Sequence, residues 1–99
     1  MIITLTPKTN IKAVLTVLMP YAAPAAVQGM ADCIREYCQR SAAGQRDWAT
    51  ESRARFEGMF SMAYCLGQMT DFDAQQVREF MSHVDYICAT RGAILQTAW

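Results

Sequence analysis

Net charge is missing from this sequence. Nine Lys and Arg are matched by nine Asp and Glu, and charged residues make up only 18% of the 99 positions, against about 25% in an average soluble domain. Intrinsic disorder, which needs low hydrophobicity and high net charge, is thereby excluded. The strongly basic balance of a typical nucleic-acid domain is absent too.

Histidine occurs once, as His83, and the closest cysteine pair is Cys33 and Cys38. Five residues along a helix set two side chains about 140° apart, so neither this pair nor His83 with Cys88 can share a metal without unwinding. Glycine-rich phosphate loops, a nucleophile elbow and paired carboxylates on an apolar background are all lacking. The chain therefore reads as non-catalytic, with no cofactor and no metal. Long apolar runs are lacking as well. Ala13 to Val27 is interrupted by Pro20 and Pro24 and falls short of the roughly 18–20 residues that span a bilayer.

Lys8 and Lys12 ahead of Ala13–Met19 imitate a signal peptide. Against cleavage stand Ile2, Ile3 and Leu5 in place of a charged start, and an apolar run cut off by Pro20. The expectation is a cytoplasmic protein with reduced thiols at Cys33, Cys38, Cys65 and Cys88. In that compartment cysteines behave as small buried hydrophobes.

What is present is apolar content, 53% of the chain, arranged with helical periodicity. The expected fold is all-α: one domain over 1–99, with about four antiparallel helices near 10–19, 24–43, 47–69 and 72–91. An extended arm over 1–9 precedes them. Pro20 stops the first helix, and Pro24 opens the second at the position proline favours. Gly44 ends the second helix, Thr70 with Asp73 forms a capping-box-like start to the fourth, with Asp71 as the competing cap, and Arg91-Gly92 closes it.

Ile11, Val14, Leu15 and Leu18 face inward on the first helix. Val27, Met30, Ala31, Ile34, Tyr37 and Cys38 form a stripe on the second, and Val77, Phe80, Met81, Val84, Ile87 and Cys88 one on the fourth. The third helix differs. Met62, Trp48, Leu66, Met59, Ala63, Phe56, Gly67, Phe60 and Tyr64 occupy about 200° of its circumference, twice what one-sided packing needs. It is expected to be either the central helix or one shared with a partner.

These features point to a protein–protein interaction module, either homodimeric or docked on another protein. A small neutral chain can cover only so much apolar area alone, and little repulsion keeps copies apart. In size and composition it resembles small phage- or plasmid-encoded modulators or inhibitors that dock on a host enzyme or complex, a likeness from which no residue role follows. The candidate interface residues are Trp48, Arg53, Arg55, Met62, Tyr64, Met69, Tyr86 and Trp99, chosen as amphipathic aromatics, arginines and adaptable methionines. Tyr86 stands opposite the fourth helix's apolar stripe.

Charge is also split along the chain. Residues 1–56 hold seven basic and four acidic groups, and residues 57–99 hold two and five, a dipole suited to steering association. The alternative is a helix-turn-helix-like DNA-binding regulator using the Arg46–Arg55 region, with Arg40 among the basic residues nearby. A recognition helix starting with Asp71 and Asp73 would meet phosphates with carboxylates, which weighs against it. A third reading, thiol- or metal-dependent chemistry, would need His83 to meet a cysteine such as Cys65 from another helix.

Overall fold

A computed structural model describes the chain over residues 11–97, with side chains over 11–89. The expected arm over 1–9 and Trp99 lie outside the described residues. Four α-helices pack against one another: α1 (Ile11–Leu18), α2 (Pro24–Ala42), α3 (Arg46–Leu66) and α4 (Asp71–Thr97), with a 3-10 turn at Met19–Tyr21. No strand occurs among the described residues. The all-α architecture expected from periodicity is the one observed.

Local chemistry explains most boundaries. Pro20 lacks an N–H and cannot continue α1, so the chain tightens into the 3-10 turn. Pro24 is the first residue of α2. Gly44 follows α2 with φ +77°, the left-handed conformation that glycine adopts without a Cβ penalty. Thr70 Oγ1 accepts a hydrogen bond from Asp73 N–H at 3.2 Å, capping α4 as expected.

Two ends differ from expectation. α3 stops at Leu66 rather than at Met69, because Gln68 turns left-handed at φ 55°. α4 does not close at Arg91-Gly92 but continues to Thr97. An interior glycine costs a helix only about 1 kcal/mol, and the flanking Ala, Ile, Leu and Gln continue it readily.

The loop after α3 explains why Gly67 is needed one position before the left-handed residue. A Cβ on Gly67 would lie 2.4 Å from the Tyr21 carbonyl oxygen and 2.6 Å from that of Ala63. Gly67 thus makes room for the 3-10 turn, and Gln68 absorbs the unfavourable backbone angle. Tyr21 is held there by its hydroxyl, which donates to the Asp73 carboxylate.

Cross-helix contacts fix the topology. Arg40 of α2 reaches Ser52 at the start of α3, and Met59 further along α3 lies over Gly29 near the start of α2. α2 and α3 are therefore antiparallel. Arg53 bonds Asp85, and Arg78 stacks over Phe60 and Tyr64, so α3 and α4 are antiparallel as well. α2 and α4 consequently run parallel, as Tyr37 beside Asp85 and Cys38 beside Cys88 attest.

The core draws on all four helices, with Leu18, Met30, Ile34, Phe56, Phe80, Met81 and Ile87 among its most buried side chains. The expected stripes of α1, α2 and α4 supply it, with Leu15, Tyr37 and Cys88 only partly covered. The central helix is another matter. α2, not α3, packs along both α3 and α4. Its buried residues, Val27, Met30, Ala31, Cys33, Ile34 and Cys38, spread over about 160° of its surface. Those of α3, Ala49, Ser52, Phe56, Phe60 and Ala63, span only about 80°. At Gly29 α2 admits Met59 of α3 closely, since a Cβ there would lie 2.7 Å from the Met59 methyl carbon.

Candidate interaction surface on helix α3

With α3 using a narrow strip for the core, half of its apolar arc is left facing outward. Trp48 is 59% exposed, Met62 62% and Leu66 78%. Met59 sits at the border, packed against the core on one side. Together with Arg55, and with buried Ser52 between, the residues fall at 48, 52, 55, 59, 62 and 66. These alternating steps of four and three are the spacing of a helix that seams against another helix.

The stripe is anchored from below. Ser52, fully buried, accepts a hydrogen bond from Arg40 Nη1 at 2.8 Å and donates to Glu36 Oε2 at 3.4 Å. Arg40 also donates to the Trp48 carbonyl at 3.1 Å, and its guanidinium lies 5.5 Å from the Trp48 ring centroid. The indole is thus supported on one face by a cation–π contact. Arg55 pairs with Glu51 at 2.6 Å on the same helix, so its charge is balanced without a partner.

The other candidate residues are distributed differently. Arg53 faces α4: its guanidinium makes two hydrogen bonds to Asp85, at 2.9 and 3.1 Å, and a third to Glu57. Burial works against its charge, but those carboxylates outweigh it and hold its pKa above the ordinary value. Tyr64 donates to Asp71 at 2.7 Å, and that hydrogen bond raises its phenol pKa. Met69 is buried in the core and is not a surface residue, because the loop after Leu66 turns it inward. Tyr86 is 61% exposed, on α4 rather than on α3. The structure therefore unites Trp48, Arg55 and Met62, makes Arg53 and Tyr64 part of the α3–α4 seam, and removes Met69.

Leu66 belongs with the united group; its place in the third helix's wide arc was the available signal. Ser52 has no such signal beyond falling in register with Ala49 and Phe56. Of the arginines offered to nucleic acid, Arg40, Arg53 and Arg55 each pair with a carboxylate.

Two recesses of the described surface lie on or beside α4. One of about 210 Å³ lies between α3 and α4 against Arg53, Phe56, Phe60 and Arg78. A second is lined only by residues of α4, from Gln75 to Tyr86. Among the described residues no three His, Cys, Asp or Glu side chains converge as a metal ion would require. No described helix is long and apolar enough to cross a membrane.

Comparison with known proteins finds no match among family models, curated proteins or solved structures.

Proposed function

We infer that this chain is a non-catalytic interaction module whose first partner is a second copy of itself, joined through α3. The observation that carries the reading is the outward stripe of Trp48, Arg55, Met62 and Leu66, bordered by Met59. Its spacing is symmetric about position 57: 48 mirrors 66 and 55 mirrors 59, while 62 mirrors the buried Ser52. A two-fold axis there sets two α3 helices antiparallel, with Trp48 of each copy against Leu66 of the other. Such a self-complementary patch is what an isologous dimer requires.

The energetics are favourable in outline. Burying a large apolar side chain is worth about 1.5–3 kcal/mol. Three such side chains from each copy, Trp48, Met62 and Leu66, can offset an association cost of about 4–15 kcal/mol. No unpaired charge is trapped, because Arg55 brings Glu51 with it. The zero net charge leaves little repulsion between copies.

Trp48 fluorescence tests the reading. In a Trp99→Phe variant, dilution from micromolar to nanomolar protein should shift emission to the red as the indole is released to water. High salt should leave the concentrated sample unchanged, since the contact is apolar. Emission constant on dilution, or assembly lost in salt, would overturn it.

A further inference from the structure

Two of the four cysteines face each other across the helix pair that the interaction surface does not use. Cys38 on α2 and Cys88 on α4 have their sulfur atoms 3.9 Å apart, at positions 50 apart in the chain. Both are free thiols, as are Cys33 and Cys65. Cys33 is buried and feels Glu36 and Arg55 on the α2–α3 side, whereas Cys65 is exposed on α3.

The geometry points to Cys38 and Cys88 as a reversible oxidation site, with Cys88 the attacking thiol, Cys38 the resolving thiol and a hydroperoxide the oxidant. Two observations separate the roles. Cys38 is sealed, at 1% exposure, while Cys88 is only partly covered. A small oxidant therefore meets Cys88 first. The sulfur–sulfur contact draws the Cys88 thiol below its ordinary pKa, assisted by Ser41, whereas the same contact and burial push Cys38 well above. Exposure and the direction of these shifts together make Cys88 the more reactive of the two thiols.

The steps balance. The Cys88 thiolate attacks one oxygen of hydrogen peroxide, the O–O bond breaks, and the departing hydroxide takes up a proton as water. Cys88 is now a sulfenic acid. The Cys38 sulfur then attacks the Cys88 sulfur, the S–O bond breaks, and the Cys38 proton leaves with the oxygen as a second water. Two thiols lose two electrons and one peroxide gains them. The bond formed staples α2 to α4, closing a loop that contains all of α3 and constraining the unfolded chain.

The experiment is peroxide treatment of the full chain, alkylation of remaining thiols after unfolding, and tryptic mass spectrometry. Trypsin separates Cys38, in peptide 36–40, from Cys33, and places Cys88 in peptide 79–91. The expected result is a cross-link between those two peptides with Cys33 and Cys65 alkylated, and a melting temperature raised by about 10 °C. A thiol reductant restores both. In a Cys38→Ala variant, dimedone should trap a sulfenic acid at Cys88. Should that variant not fold, Cys33→Ala with Cys65→Ala must still give the 36–40 to 79–91 cross-link. Four alkylated thiols after peroxide, Cys88 driven to sulfinic acid in the unmodified chain, or cross-linking only between copies through Cys65 would each overturn the assignment.

Discussion

Arg53 of α3 grips Asp85 of α4 with two nitrogens, Nε to Oδ1 at 2.9 Å and Nη2 to Oδ2 at 3.1 Å. Tyr37 of α2 donates to the same Oδ1 at 2.7 Å. One carboxylate thereby gathers three helices. Asp85→Ala removes acceptors from both a guanidinium and a phenol, and should cost about 1–2 kcal/mol by urea unfolding. The side chain is 41% exposed, and water replaces part of what is lost.

The same junction gives a pH dependence. Burial first, and then the bond to Asp85, hold the Tyr37 phenol well above its ordinary value. The folded chain binds that proton more tightly than the unfolded chain does. Its contribution is fully present below the unfolded value, about 10, and is lost as pH rises above it toward the folded value. Urea midpoints at about pH 8 and about pH 11 should fall more for the natural chain than for Tyr37→Phe. Equal falls would show that Tyr37 is not the responsible group.

The loop between α3 and α4 makes opposite predictions at neighbouring positions. Gln68→Gly relieves a left-handed backbone angle and should stabilise by about 1 kcal/mol. Gly67→Ala forces a methyl group into the Tyr21 and Ala63 carbonyls and should destabilise by about 2 kcal/mol or more. Thermal melts of the two variants check both signs.

Core and surface aromatics of α4 should also part company. Phe80 is buried and Tyr86 lies outward on the same helix. Phe80→Ala should cost about 3–5 kcal/mol through the cavity it leaves. Tyr86→Ala should change stability by no more than about 0.5 kcal/mol. It should also leave self-association through α3 intact.

Much of the fold was legible in the sequence, because Pro20, Pro24, Gly44 and Thr70 are local signals that act where they stand. The stripes of α1 and α4 were legible for the same reason: large apolar side chains at helical spacing. The central position of α2 was not. It shows only in which helices α2 meets on its two sides, α3 and α4, a property of pairs of helices. The candidate surface was half legible. The wide arc of α3 signalled a helix with two apolar faces. Only the packing shows that Phe56 and Phe60 point in while Met62 and Leu66 point out. Arg53 could not be told from Arg55 by sequence, since what separates them is Asp85, 32 residues away.

Sedimentation equilibrium tests most directly whether α3 pairs with α3 of a second copy. The natural chain at micromolar concentration should show twice the 11.1 kDa of one copy. Leu66→Glu should return it to one copy with its helical circular dichroism unchanged. A natural chain that sediments as one copy throughout that range, or a Leu66→Glu chain that remains paired, would contradict that pairing.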